Sequence, residues 1–239
     1  MPPTLYHARP QPHGLFTNCS FLCEMSASDT VPSYDELRAS GAIIQSSMDM
    51  LRVRLSLFGP LESSVEVADT LDLDSKCEPY TTGHSFHNIS TSPATEPPVS
   101  SISVNIDNLD TWGYRWEGEH RDDNEDNQEW VETENDEDRA LLRCCGMACP
   151  PPPPSLEVLP TTHPFVTVHD YITQVHAWLQ TLKPSILAAM DELSSPSTKL
   201  YSSLVILKIL TFEEDIGADR LWESVERHVR RRRDGTMLS

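Results

Sequence analysis

The chain has 239 residues, a formal net charge of −19 at pH 7 and a hydrophobic fraction of 38%. The acidic surplus disfavours nucleic acid and anionic lipid as partners, and it suits basic protein partners. No segment approaches the roughly 20 apolar residues that cross a bilayer, and the N-terminus has no signal-peptide pattern. We therefore expect an intracellular protein, cytoplasmic or nuclear, with reduced thiols and no transmembrane segment.

The N-terminal part begins with residues 1–32, whose composition predicts a disordered tail. Over 33–75 we expect a marginally ordered segment. Ser33 and Glu36 have the spacing of a capping box, which predicts a short helix. Apolar residues alternate over 51–73 on both sides of a Gly-Pro turn, which indicates a short β-hairpin. A helical period fits some of the same residues and stays open as the alternative.

Residues 76–158 combine a Ser/Thr/Pro-rich linker, an acidic block and a run of five prolines. Leu, Ile, Val and Phe supply only 12 of these 83 residues. That share is below the roughly 20% under which charged segments are expected to stay disordered. The acidic block, 107–138, contains 14 acidic residues against two basic ones. The sequence therefore predicts disorder over this whole range.

Three tryptophans, Trp112, Trp116 and Trp130, interleave with the acidic residues. This composition resembles that of acidic activation domains, in which charge keeps aromatic side chains exposed to a partner groove. We assign these tryptophans a partner-binding role, and a solvated acidic linker is the alternative. The prolines Pro150–Pro154 should form an extended polyproline helix that acts as a stiff spacer or as a generic docking peptide.

From 159 to 234 helical spacing predominates, which predicts a small all-α module before a tail over 235–239. Thr167 is the expected N-cap of its first helix, with Asp170 favourably placed at the positive helix end. We expect Pro184 to end that helix.

The segment 198–210 is apolar almost all round, which predicts the most buried helix of this module, with a buried strand at the run around Leu204 as the alternative. Trp178 and Trp222 are assigned a partner-binding role on its surface. A core of this size is near the lower limit for independent folding, so self-association of the module is a further expectation.

Four arginines, Arg230, Arg231, Arg232 and Arg233, end the last predicted helix. Consecutive arginines suit the acidic grooves of nuclear import receptors, and we assign them that role. Two alternatives stay open. The arginines also suit a helix C-terminus, and they suit nucleic acid, although the acidic block opposes that contact.

The cysteines give no strong metal motif. Cys19 and Cys23, and likewise Cys145 and Cys149, are separated by three residues rather than by the two of the usual zinc knuckle. We expect reduced thiols, with zinc binding as one alternative. Palmitoylation of the adjacent pair Cys144 and Cys145 is another.

Catalytic patterns are equally weak. His169 and His176 would lie about 10.5 Å apart along a helix axis, too far apart to bind one metal ion. The chain has no Walker loop, no nucleophile elbow and no dinucleotide fingerprint. The sequence therefore predicts no enzyme activity, no catalytic residue and no cofactor.

One segment, His163–Leu179, resembles a stretch near the C-terminus of uncharacterised proteins of filamentous ascomycete fungi. It covers under a tenth of the chain. The resemblance implies a fungal source and carries no activity or site residue with it.

The expected fold is thus a mostly disordered N-terminal two-thirds, with a short hairpin, followed by a small all-α module. The expected function is that of a non-enzymatic regulatory or adaptor protein that acts through protein–protein interaction. The alternatives are an accessory or catalytic protein of a fungal metabolic pathway and a protein without a defined biochemical activity.

Overall fold

The computed structural model describes residues 30–72, 74–121, 125–132, 139–190, 200–202, 204 and 207–234. The predicted tails, 1–32 and 235–239, lie outside these ranges apart from residues 30–32. The helices are α1 (Tyr34–Ala39), α2 (Met48–Leu51), α3 (Leu61–Ser64), α4 (Asp107–His120), α5 (Val168–Ala189) and α6 (Asp215–Arg233). The strands are β1 (Gln45–Ser46), β2 (Val53–Ser56), β3 (Val65–Ala68), β4 (Cys77–Pro79), β5 (Thr81–Thr82), β6 (Ser85–Phe86), β7 (Thr95–Glu96), β8 (Ile102–Ile106), β9 (Gln128–Glu132), β10 (Arg139–Cys144), β11 (Met147–Ala148), β12 (Leu156–Val158), β13 (Leu200–Ser202), β14 (Ile209–Leu210) and β15 (Phe212–Glu214).

The largest sheet is antiparallel and, within the described residues, contains five strands in the order β15-β13-β2-β3-β4. Its centre is the β2–β3 hairpin, in which Val53 pairs with Val67 and Arg54 with Glu66. Of the two interpretations of 51–73, strand pairing is therefore the one that the structure has. The valines are buried, which fixes the register because a slip of one residue would expose them.

A smaller sheet has β8 at its centre, with β12 antiparallel on one side and β14 parallel on the other. Ile102, Val104 and Ile106 of β8 are fully buried. Ser103 and Asn105 alternate with them and lie on the opposite, partly exposed face. The chain passes directly from β8 into α4, so the start of that helix is held at the edge of this sheet.

A third sheet, in the order β11-β10-β9, lies beside α4. Leu141 and Cys144 of β10 are buried there and form a small cluster with Trp116 of α4. This cluster stabilises the end of α4 that is farther from β8.

Helix α5 supplies the longest stretch of the core. Thr167 is the N-cap, as expected, and together with Asp170 it forms a reciprocal capping box. Its fully buried residues recur at helical spacing: Val168, Tyr171, Ile172, Val175, Leu179 and Ile186. The helix continues through Pro184, so the predicted break was wrong. Pro184 is exposed, and Ile186 and Ala189 beyond it are buried, so packing of the apolar face offsets the lost backbone hydrogen bond.

The prediction of a disordered N-terminal two-thirds was wrong, since helices and paired strands occupy most of residues 33–158. The physical reason lies in placement rather than in composition. Of the 12 Leu, Ile, Val and Phe residues over 76–158, eight are buried: Ile89, Val99, Ile102, Val104, Ile106, Leu109, Leu141 and Val158. Few apolar residues suffice when most of them reach a shared core.

The prediction of an all-α C-terminal module was also wrong. Strands β13 and β15 join the five-stranded sheet, where β13 pairs with β2, and β14 pairs with β8. The segment 198–210 was expected as the most buried helix, but its strands β13 and β14 belong to two sheets, because open strand edges were available there. The C-terminal third is therefore part of the same core as the N-terminal strands.

Helix α6 closes over a separate small cluster, in which its Val225 and Val229 contact Leu51 of α2. Near its end Arg232 donates a hydrogen bond to the Ser46 carbonyl at 2.8 Å and pairs with Glu96. Among the described residues no helix has the length and apolarity needed to cross a bilayer, in agreement with the sequence prediction.

The burial of β8 gives a direct test of the fold. Ile106→Ala removes a fully buried side chain and should lower the free energy of unfolding by about 3 kcal/mol. Ile43→Ala removes the same atoms from a side chain that is 59% exposed, and it should cost less than about 0.5 kcal/mol. Urea denaturation of both variants checks this. Equal losses would contradict the placement of β8 in the core.

The environment of His228 on α6 predicts a pH dependence. Its Nε2 atom is buried without a hydrogen-bond partner among the described residues. Burial, together with Arg232 and Arg231, lowers the pKa of His228 below the usual 6.5. The unfolded chain therefore binds the proton more readily, so this part of the stability is full above the usual pKa and is lost as the pH falls below it.

The free energy of unfolding of the wild-type chain should accordingly fall more than that of His228→Gln between about pH 7.5 and about pH 5.5. Urea denaturation at both pH values gives the two differences. Parallel losses in the two proteins would show that His228 does not carry the dependence.

Candidate binding groove

A groove of about 560 Å³ separates helix α4 from the proline segment, Pro150–Pro153. Its volume lies within the range of ligand sites, roughly 300–1,000 Å³. The remaining lining residues are Asn105, Leu109, Asp110, Gly113, Tyr114, Glu117 and Cys149.

The helical wall of the groove follows from the two faces of α4. Leu109, Trp112 and Trp116 recur at helical spacing and turn towards the protein interior. Asp110, Gly113, Tyr114 and Glu117 occupy the next face around the helix, and Leu109 contributes to both the interior and the groove. An amphipathic helix thus presents its acidic side to the groove.

The second wall follows from the chemistry of proline. The Cys149 N–H donates to the Leu142 carbonyl at 2.8 Å, which holds the start of the segment on the third sheet. Leu156 then pairs with Val104 in the second sheet. The prolines between these points have no N–H group and a fixed φ, so they can neither continue a strand nor join α4. The gap that they leave is the groove.

The charge inside the groove is negative. Burial, with a contribution from Asp107, raises the pKa of Asp110. Burial and the nearby carboxylate of Glu117 raise the pKa of the Cys149 thiol. Glu117 also pairs with Arg121 at 3.1 Å, one helical turn away. Each acidic group would be stabilised by an added cation.

Most of the remaining lining is apolar, with Leu109, Gly113 and four prolines beside the polar groups of Asn105, Tyr114 and Cys149. Tyr114 is 81% exposed and lines the groove together with Pro150–Pro153. Lysine and arginine side chains bury an apolar stem while their charged end contacts carboxylates or an aromatic face. The arrangement therefore suits a basic side chain better than an acidic or a purely apolar one.

The tryptophans assigned from the acidic block lie elsewhere. Trp116 is only 8% exposed and stacks on His120 at 4.6 Å. Trp112 packs against the main core, and Trp130 packs beside Leu141. All three contribute to folding, and none lines the groove. Their partner-binding role stays a prediction.

The two tryptophans assigned to the C-terminal part are half-buried. Trp178 packs against the main core. Trp222 lies under the Arg54 guanidinium at 4.8 Å and meets Tyr201 edge-on at 6.4 Å. The structure does not bring either residue to the groove, and their assigned role also stays a prediction.

The four arginines have different surroundings. Arg230 pairs with Glu226 at 2.5 Å, one turn away on α6. Arg232 is held by Glu96 and by the Ser46 carbonyl, while Arg231 and Arg233 are exposed. Nuclear import through these residues remains a prediction.

The cysteine cluster lies at the turn between β10 and β11. The sulfurs of Cys144 and Cys145 are 3.5 Å apart, and no disulfide joins the described cysteines. Among the described residues no group of three or more His, Cys, Asp or Glu side chains is arranged to hold a metal ion. Cys19 and Cys23 lie outside the described residues.

His169 and Asp170 have structural partners. The Tyr80 hydroxyl lies 3.1 Å from Nδ1 of His169. Asp170 accepts hydrogen bonds from both Thr161 and Thr167. Burial would raise the pKa of Asp170, but these hydrogen bonds hold it below its usual value. The carboxylate thus stabilises the start of α5.

Sequence reasoning missed the groove residues Asp110, Tyr114 and Glu117. The signal was present, because Leu109, Trp112 and Trp116 have the spacing of a buried helical face. Interpretation of the region as disordered removed that helix from consideration, and with it the opposite, acidic face.

The difference in exposure between adjacent cysteines predicts their reactivity. Cys144 is fully buried and Cys145 is exposed, so brief treatment of the folded chain with iodoacetamide should modify Cys145 well before Cys144. Peptide mapping by mass spectrometry measures the extent of modification at both cysteines. In the denatured chain the two cysteines should be modified at similar rates. Faster modification of Cys144 in the folded chain would contradict the orientation of this turn.

Comparison with protein-family models, with curated proteins and with solved structures finds no match for this chain. What the groove binds must therefore be inferred from its own residues.

Proposed function

We propose that this chain is a non-enzymatic regulatory or adaptor protein that binds a basic peptide segment of a partner protein. The bound peptide of the partner lies in the groove between α4 and the proline segment. The observation that supports this most directly is the convergence of Asp110 and Glu117 on a cavity that is otherwise lined largely by Leu109 and the prolines.

The recognised feature is a lysine or arginine side chain. Its alkyl stem lies along the proline rings and Leu109, and its charged end lies between the carboxylates. Arginine is the better ligand, because its planar guanidinium can bind a carboxylate through two hydrogen bonds and can also stack on Tyr114.

The pairing of Glu117 with Arg121 does not oppose this. Arg121 is 62% exposed, and exposed ion pairs contribute roughly 0–1 kcal/mol. A cation inside the partly desolvated groove makes a stronger contact with Glu117 than Arg121 does. Replacement of Arg121 by the basic side chain of the peptide therefore costs little free energy.

The charge of the whole chain supports the same class of partner. A net charge of −19 attracts basic segments over distances of about one Debye length, near 8 Å at physiological salt. Long-range attraction raises the association rate, and the groove then supplies the specific contacts.

The test measures binding of short fluorescent peptides, one containing a central arginine and one with glutamine in its place, to the full chain. The arginine peptide should bind more tightly, and added salt should weaken it. Glu117→Gln and Asp110→Asn should each weaken binding by roughly twofold to fivefold. Fluorescence anisotropy gives the dissociation constants.

Glu119→Gln is the matched control, because Glu119 is exposed on the same helix but does not line the groove. A second pair separates the groove from general effects on α4. A Cβ atom added at Gly113 or at Gly118 meets nothing within 4 Å, but only Gly113 lines the groove.

Gly113→Leu should therefore block binding while Gly118→Leu leaves it intact. Equal affinities of the two peptides for the wild-type chain would refute the proposed function. So would matching losses in the Gly113 and Gly118 variants.

A further inference from the structure

A second cavity, also of about 560 Å³, has Asn105 in its lining as well. It is lined by Tyr34, Asp35 and Arg38 of α1 and by Ile44, Lys208 and Ile209. Asn105 belongs to both cavities. The groove beside α4 and the cavity beside α1 therefore meet at one residue of the central strand of the second sheet.

The floor that joins them is the partly exposed face of this sheet. Asn105 pairs with Ile209 of β14, whose side chain is 45% exposed. Asn105 is held by its backbone, since its N–H donates to the Lys208 carbonyl at 2.8 Å. Its side-chain amide makes no hydrogen bond to another described residue, so it can donate to and accept from a peptide group laid across it.

The groove beside α4 and the cavity beside α1 differ in charge. The groove beside α4 carries Asp110 and Glu117. The cavity beside α1 carries Lys208 and Arg38. Asp35 pairs with Lys208 at 2.5 Å, and the Lys208 ammonium also lies over the Tyr34 ring at 5.2 Å. Arg38 is exposed and has no ion pair with another described residue, so it is the cation available to a ligand.

We propose that the two cavities form one cleft for an extended peptide with a basic residue at one position and an acidic residue at another. The basic side chain lies beside α4, the backbone crosses Asn105, and the acidic side chain binds Arg38. This inference rests on the proposed function. It adds a second contact, made by an acidic residue of the same peptide in the cavity beside α1. An extended chain advances about 3.3 Å per residue, so only certain spacings reach both ends.

The experiment uses the full chain and a peptide series in which the number of residues between arginine and glutamate increases one at a time. Each peptide has a partner with glutamine in place of glutamate. At the best spacing, the glutamate peptide should bind about fivefold more tightly than its glutamine partner. Arg38→Gln should remove that difference and leave the affinity for the glutamine peptide unchanged.

Reversal of the charge at position 38 gives a more specific test. Arg38→Glu should prefer a peptide with lysine in place of glutamate at the same spacing, a change of preference that a merely structural role of Arg38 would not produce. Arg220→Gln is the matched control, because Arg220 is an exposed arginine on α6 that lines neither cavity. Thermal unfolding of each variant verifies that it is folded.

The outcomes separate the two proposals. If arginine peptides bind but glutamate adds nothing at any spacing, or if Arg38→Gln keeps the preference, the extended cleft is refuted and the groove beside α4 stands. If no peptide distinguishes arginine from glutamine, both proposals fail.

Discussion

The fold depends on one apolar helical face, that of α5. The residues of this face lie in the same core as the buried side chains of β2, β3 and β8, so the helix is the surface on which both main sheets close. Polar atoms at its margin fix distant loops. The buried Tyr171 hydroxyl donates to the Leu207 carbonyl at 2.7 Å, and the Gln180 amide donates to the Leu57 carbonyl at 3.2 Å.

These contacts explain why segments that look too polar to fold are ordered. Each strand of the N-terminal half buries only a few apolar side chains, and at roughly 1.5–3 kcal/mol per fully buried side chain none is stable alone. Together they cover a helix that lies over a hundred residues later in the sequence than the β2–β3 hairpin. Order in one half therefore requires the other half to be present.

Local signals predicted local structure well. The capping box at Ser33 and the N-cap at Thr167 are present as expected. The hairpin predicted from alternating apolar residues is also present, with Val53 paired to Val67. The errors concern features that depend on distant partners. The segment around Leu200 has enough apolar residues for a helix or a strand, and only the open edge of β2 decides in favour of the strand.

The groove was harder to predict for the same reason. Its walls lie on α4 and on the proline segment, and the chain between them passes through β9, β10 and β11. Nothing in the spacing of Asp110 and Pro150 indicates that the third sheet returns the chain to the same helix. The acidic residues and the prolines were each visible in the sequence, whereas their proximity is a property of the fold.

The attachment of Arg232 couples two processes, binding of a partner to the arginine cluster and release of the end of α6 from its neighbours. Its guanidinium bridges the helix to Glu96 and to the Ser46 carbonyl on the short β1–β7 ribbon. Any receptor that takes hold of this side chain must first release it, so its affinity for the arginine cluster is reduced by the free energy of that release. By reciprocity, occupancy of the cluster loosens the last turn of α6 from the ribbon. Access to Arg232 is thus set by the local stability of one helix end rather than by exposure alone.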